Sequence, residues 1–299
     1  MKTKKRVLAA AMAVTVGLAL AGCGSDDGGE ETTEGGGGGT ITLGIIPSWT
    51  DGLSMAYLWK DVLEEEGYTV EIEEVAEAAP LYTGVANGDV DIYPSAWPEV
   101  THATYMEEYG DDLEDLGAYY ENAKLTIAVP EYTDIDSIED LTGNADQFDG
   151  RIVGIEPGAG LTEVTKTSVM PEYGLDEDYE LVTSSTTAML AELQKAVGDE
   201  EDIVVTLWRP FWANSEYPVK DLEDPKGALG EAEGLHAIAT AGFAEEFPDV
   251  AEMIGNAKLD DEQYGTLEDL VVNKHEGDPA AGVSEWLENN PDWVDSLGG

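Results

Sequence analysis

The chain has 299 residues, long enough for two lobes of ordinary size, each with its own core and no need of a disulfide or metal to hold it. Apolar residues make up 42% and aromatics 8%, which excludes a wholly disordered chain. The 14 Lys and Arg stand against 64 Asp and Glu, a net charge of −50, so roles that need a basic face, such as binding nucleic acid or an anionic lipid surface, are excluded. One cysteine excludes an internal disulfide and a Cys-based zinc site.

The basic residues Lys2, Lys4, Lys5 and Arg6 precede an apolar run from Val7 to Ala21. That run is too short to span a membrane as a mature helix and has the layout of a secretory signal. Its end, Leu20-Ala21-Gly22-Cys23, resembles the lipobox of bacterial lipoproteins. The resemblance implies a signal peptide over 1–22, cleavage before Cys23 and a lipid on its thiol, and so a place at the extracytoplasmic face of the cell membrane. Residues 23–39 are rich in Gly, Asp and Glu and close on the glycine run Gly35 to Gly39, which reads as a flexible, self-repelling tether.

Beyond the tether, strands and helices alternate. Ile41 to Ile46 reads as a buried strand, and Met55, Leu58, Trp59, Val62 and Leu63 then recur at helical spacing until Gly67 stops the helix. Thr69–Val75 is predicted as a strand, Leu81–Asn87 as a helix, and Val90–Ala96 and Lys124–Val129 as strands. A short helix opens at Asp136 and closes at Gly143. Strands are predicted at Arg151–Ile155, Glu180–Thr183 and Ile203–Leu207, with helices near Thr162–Met170 and Thr187–Val197 between them. Leu235–Ala241 is the last strand, and the remainder is helical.

This alternation implies an α/β fold of mostly parallel sheets with helices on both faces. The elements group into two lobes, 40–127 with 233–299, and 128–232. A chain that leaves one lobe and returns makes two linkers, hence a hinge, and ligands in such folds lie at the carboxyl ends of strands, here in the cleft between lobes.

Nucleotide-binding and hydrolase signatures are missing: no GxxxxGK[ST], GxSxG, HExxH or GxGxxG occurs. His102, His236 and His275 lack metal-ligand spacing and read as structural or surface groups. No metal, cofactor or catalytic residue is implied. Tryptophan is the informative residue. Trp49, Trp97 and Trp208 each follow a predicted strand, so three of the seven tryptophans fall at strand lips, and Trp97 and Trp208 belong to different lobes. Trp59, Trp212, Trp286 and Trp293 have helical or adjacent contexts and read as packing.

Indole faces in an apolar cleft suit a cation that cannot donate hydrogen bonds, such as a quaternary ammonium, at roughly 0.5–2 kcal/mol per contact. Gly52 and Leu53 open the helix after the first strand, where free N–H groups hold an anion. The turn Glu156-Pro157-Gly158-Ala159-Gly160 is a second helix start, from the other lobe. Aromatic walls with a helix N-terminus describe a receptor for a zwitterion.

From about Ile41 to Asn273 the chain resembles the glycine betaine-binding proteins of ATP-binding cassette importers, of the Gram-positive lipoprotein type. The stretches that carry the resemblance are SAWPEVTH (Ser95–His102), DIDSIEDL (Asp134–Leu141), GIEPGAG (Gly154–Gly160), EDIVVTLWRPFW (Glu201–Trp212) and DLEDPKG (Asp221–Gly227). The resemblance implies a two-lobed, type II periplasmic-binding-protein-like fold, and an aromatic cage for trimethylammonium with Trp97 and Trp208 as walls. It also implies a carboxylate held by the backbone amides of Gly52 and Leu53. The family's usual third wall falls on Lys258 or Leu259, so Trp49 is the first candidate for that place, then Phe211 and Tyr93.

The reading is a lipid-anchored receptor that captures glycine betaine, closes around it and delivers it to the permease and ATPase subunits of an importer, with no covalent chemistry. Proline betaine, choline, carnitine or another methylated solute is the alternative ligand. A lipoprotein enzyme on the same scaffold lacks a paired nucleophile and base, and an adhesin would leave the cleft tryptophans without purpose.

Overall fold

The computed structural model describes residues 38–298. The signal peptide, Cys23 and nearly all of the tether lie outside the described residues. Nine strands run in chain order: β1 (Thr40–Ile45), β2 (Thr69–Glu74), β3 (Ile92–Ala96), β4 (Leu113–Pro130), β5 (Arg151–Val153), β6 (Glu180–Val182), β7 (Val205–Arg209), β8 (Val219–Asp221) and β9 (Glu233–Thr240). They pair in the order β2-β1-β3-β9-β4-β7-β5-β6, with β8 on β4. The long strand β4 serves two sheets. Its first part, to Ala123, pairs with β9, and from Lys124 onward it pairs with β7 and β8.

Helix α1 (Thr50–Glu65) forms as its apolar spacing predicts: Met55, Leu58, Trp59, Val62 and Leu63 are all buried, and Gly67, at φ +91°, ends the run in a conformation that favours glycine. Helices α2 (Ala78–Asn87) and α3 (Ala103–Tyr109) follow in the same part of the molecule. After β5 a helical path begins with α4 (Gly160–Val164), passes through a π-turn over Thr165–Val169 and ends at Tyr173. From Phe243 onward the chain is helical, as expected. Trp59, Trp286 and Trp293 pack together there, with ring centroids 6.0 and 5.3 Å from Trp293. That is the packing role the sequence suggests for them.

The parallel pairs are β1·β2, β1·β3, β5·β6 and β5·β7, each joined through an intervening helix or turn as parallel strands require. Every antiparallel pair involves β4 or β9; β4 runs through both sheets, and β9 lies between β3 and β4 in the first. The first half of β4 has no counterpart among the predicted strands. Its segment Leu113 to Ala123 carries Glu114, Asp115, Gly117, Glu121 and Asn122, poor strand formers, and its register with β9 shifts three times. Strand order and pairing place the carboxyl ends of β1 and β3 on one side of a cleft and those of β5 and β7 on the other.

Candidate functional site

Three segments of the first sheet build one side of the cleft. The β1–α1 connection carries Ser48 and Trp49, the first turn of α1 carries Thr50 and Asp51, and the loop after β3 carries Trp97, Thr101 and His102. That loop is tied down at its far end. Glu233, the first residue of β9, accepts the N–H groups of Val100 (2.9 Å) and Thr101 (3.1 Å) together with the Thr101 hydroxyl. The His102 N–H closes the loop on the Trp97 carbonyl at 2.8 Å.

The opposite side comes from the second sheet: Leu125 of β4, Ile155 and the turn to Ala159 after β5, Gly160 and Leu161 of α4, and Trp208 of β7. Trp208 lies inside its strand, paired with Leu125, rather than just past it. Trp49, Trp97 and Trp208, which the sequence singles out, line one cavity of about 350 Å³, its mouth included. The three residues are 8%, 5% and 5% exposed. Asp51, Thr101, His102, Gly160 and Leu161 line it too.

Each indole is fixed by a different device. The Trp97 Nε1–H donates to Asp51 Oδ2 at 3.0 Å, and the same oxygen accepts the Ser95 hydroxyl at 2.8 Å. The Trp49 Nε1–H donates to Glu156 Oε2 at 3.2 Å, and its ring stacks on His102 (6.1 Å, 17°). Trp208 stacks on Phe211 at 3.9 Å and 19°. Phe211 thus lies against Trp208 and is not among the residues that line the cavity. Tyr93 lies behind the cavity, tilted against His102 and edge-on to Tyr82. Lys258 and Leu259 line a different depression, with Tyr119 and Tyr120.

The charges are unusual for so buried a site. Burial raises the Asp51 carboxyl above its ordinary value, opposed by its bonds from Trp97 and Ser95. Burial also pushes His102 down to about 3, so its imidazole is neutral. Its Nδ1 accepts the Trp97 N–H at 3.1 Å, which puts the proton on Nε2 and makes that nitrogen a donor. No lysine or arginine is among the lining residues.

Gly52 and Leu53 are not brought to the cavity. The Leu53 N–H is spent inside the helix, on the Trp49 carbonyl at 3.1 Å, and its side chain lines a separate groove with Thr50 and Trp212. The Gly52 N–H is directed at the Asp51 carboxylate. The first turn of α4 is different. The N–H groups of Gly160 and Leu161 have no carbonyl four residues back in the helix, and among the described residues they donate to no other group.

The two sides touch above the cavity. The Tyr105 hydroxyl donates to the Gly158 carbonyl (3.0 Å), and the Gly158 N–H donates to Glu77 (3.2 Å). Gly160 lies so close to Thr101 that a Cβ there would sit 1.9 Å from the Thr101 carbonyl oxygen. Sequence reading missed Asp51, His102, Thr101 and Glu156. For His102 the only signal was its distance of five residues from Trp97, which a single loop closes.

Two α/β sheets joined through β4, with an apolar pocket between the ends of their parallel strands, have the architecture of solute-binding proteins. Residues 39–289 match the family described as the substrate binding domain of ABC-type glycine betaine transport systems, and the chain belongs to that family. It is 36% identical over 161 residues to the glycine betaine/carnitine transport binding protein GbuC of Listeria monocytogenes. That match covers 51% of each chain, so the chain spans about half the length of this curated relative. Among solved structures it is similar to the glycine betaine/L-proline-binding protein ProX of Borrelia burgdorferi, with TM-score 0.81, 32% identity, and 87% of this chain and 97% of that one covered. It is also similar to lactococcal OpuAC in its closed form complexed with glycine betaine, with TM-score 0.80, 29% identity, and 88% and 100% covered. Both share the type II binding-protein architecture that the resemblance implies. Among the described residues no helix is long and apolar enough to cross a membrane.

One buried acid near the site gives a pH dependence. Glu268 accepts the Thr50 hydroxyl. Burial, opposed by that bond and reinforced by the Asp51 charge, pushes its carboxyl from 4.5 up to about 8. A folded-state value above the unfolded one means that the stability this group contributes is present below about 4.5 and is lost as pH rises through about 8. Melting curves of the parent and Glu268→Gln should therefore differ in slope. The parent loses melting temperature relative to the variant as pH rises through that window, and the difference levels off above it.

Proposed function

We propose that this protein captures glycine betaine between its two sides and hands it to the permease and ATPase subunits of an importer, without covalent chemistry. The observation that carries the reading is the meeting of Trp49, Trp97 and Trp208 at one cavity with unbonded N–H donors at its other side. A trimethylammonium group offers no hydrogen to an acceptor, so it is recognised by aromatic faces and by negative charge nearby. The three indoles supply the faces, and Asp51 the charge. The ligand carboxylate then goes to the Gly160 and Leu161 N–H groups and to His102 Nε2–H, in place of Gly52 and Leu53. A neutral His102 suits this role, since it donates without adding a second cation beside the first.

In this reading the lobes are 40–127 with 233–299, and 128–232, hinged at β4 and at the segment before β9. Closure brings walls from both lobes onto the cation and so biases an open–closed equilibrium toward the closed form. The relatives named above all carry glycine betaine in their names, one of them in its closed form with it, which supports this choice of solute. The Listeria relative's name adds carnitine, and proline betaine, choline and carnitine stay the alternative ligands.

The same reading places the protein on the extracytoplasmic face of the membrane, tethered through a lipid on Cys23. Cys23→Ala should then leave the protein unprocessed or release it to the medium. Fractionation with a high-salt wash checks this, because the anchor is the lipid and not a helix.

Replacing Trp97 or Trp208 by Ala should cost about 2–4 kcal/mol, roughly 30- to 1,000-fold in affinity for glycine betaine, because each loss removes a cation–π face and opens a void to water. Phe at either position should lose less. Isothermal titration of the folded variants reads both effects.

Gly160→Ala sets closure against a backbone clash. The ligand-free melting temperature should stay near the parent's, since the clash is relieved by opening, while affinity falls by roughly 5- to 150-fold. Parallel melting and titration measurements separate the two.

A further inference from the structure

Glu156 follows β5 in the turn that leads to α4. The residue is 5% exposed, and its carboxylate accepts hydrogen bonds from both sides of the cleft. From its own side, Thr186 gives Oε1 its N–H at 3.0 Å and Oε2 its hydroxyl at 2.8 Å. From the opposite side, the Ser48 hydroxyl reaches Oε1 at 3.2 Å and the Trp49 indole Nε1–H reaches Oε2 at 3.2 Å. Among the described residues no Lys, Arg or His forms an ion pair with it.

A buried carboxylate without a cation must be held by neutral donors and dipoles. Thr186 is the first residue of the helix Thr186–Asp199, so the carboxylate sits at a positive helix end as well as on two donors. These contacts belong to one side and hold the acceptor independently of the other. The remaining two lone-pair positions receive the Ser48 hydroxyl and the Trp49 N–H.

We propose that Glu156 is a positioning residue that seats the Trp49 wall from across the cleft and holds the two sides together once the solute is inside. The assignment rests on the solute-binding reading above. Glu156 does not line the cavity and acts through the Trp49 ring. In the open form its outer lone pairs and the Trp49 N–H are solvated separately. On closure they exchange water for a charge-assisted bond in a dry site. The bond therefore forms late and breaks first on release, so it governs dissociation more than association. Donation to an anion also leaves the indole ring richer in electron density, which favours a cation on its face.

The test is stopped-flow measurement of glycine betaine association and dissociation, with intrinsic tryptophan fluorescence as the signal. The proteins are the parent, Glu156→Gln, Trp49→Phe and the double variant. Phe keeps a ring at position 49 and loses only the indole and its N–H. Each single change should raise the dissociation rate, Glu156→Gln by about 10- to 100-fold, the effect of losing a bond to a charged acceptor, with association changed by only a few-fold. The double variant should dissociate more slowly than the product of the two single effects predicts, because both changes weaken the Glu156–Trp49 bond, while only Glu156→Gln touches the bond from Ser48. Effects that multiply in the double variant, or a Glu156→Gln protein that releases ligand at the parental rate, would overturn the assignment while leaving the function intact. A parent that binds no glycine betaine would refute the function and the assignment together. If Glu156→Gln fails to fold, Ser48→Ala and Trp49→Phe probe the same bonds from the other side. Parental release rates in both would overturn the proposal.

Discussion

The proposed cage of flat rings works only if the rings cannot turn away, and each of the three tryptophans is pinned from behind. Trp97 gives its indole hydrogen to Asp51, Trp49 gives its own to Glu156, and Trp208 lies flat on Phe211. The two carboxylates belong to opposite sheets, and one of them bonds a ring from the sheet it does not belong to. Everything else in the cleft supports this arrangement. Ser95 and Tyr119 continue the chain of hydroxyls behind Asp51, and Glu233 holds the loop that carries Trp97 and His102.

That arrangement depends on topology. Parallel strands deliver their carboxyl ends, and the connections that follow them, to one edge of each sheet. Strand β4 carries the chain from the first sheet to the second, and the segment between β8 and β9 brings it back. Because β4 is continuous through both, a change of angle between the sheets is taken up along one strand and in the segment entering β9. Gly160 marks how close the sides come, since its backbone meets that of Thr101 with no room for a Cβ.

The buried charge is consistent with the solute. A cavity with Asp51 in its wall, Glu156 beside it and a neutral His102 offers negative potential to a cation. The chain's net charge of −50 is mostly a solvated surface, whereas these few carboxylates are enclosed and hydrogen-bonded. The distinction between surface and enclosed acid cannot be seen in composition.

Much of this was legible in the sequence. The apolar spacing of Met55 to Leu63 marked α1, and tryptophans at strand lips marked Trp49, Trp97 and Trp208. All three meet at one cavity. Other features were not legible, for physical reasons. The first half of β4 is acidic and bulged, so it lacks the apolar alternation that betrays a strand. Gly52 and Leu53 open a helix, but the N-capping position is Trp49, and its carbonyl consumes the Leu53 N–H. That left the second helix start, at Gly160, with the open donors. Glu156 and Asp51 each looked like one more acid among 64, since only folding enclosed them. The central claim is that the closed cleft recognises methylated nitrogen and not merely a carboxylate. Isothermal titration with glycine betaine and, separately, with glycine tests it most directly. Both ligands carry the same carboxylate, and only one fills three indole faces. The account predicts saturable binding of glycine betaine and none of glycine at the same concentrations. Equal binding of the two, or no heat with glycine betaine, would contradict it.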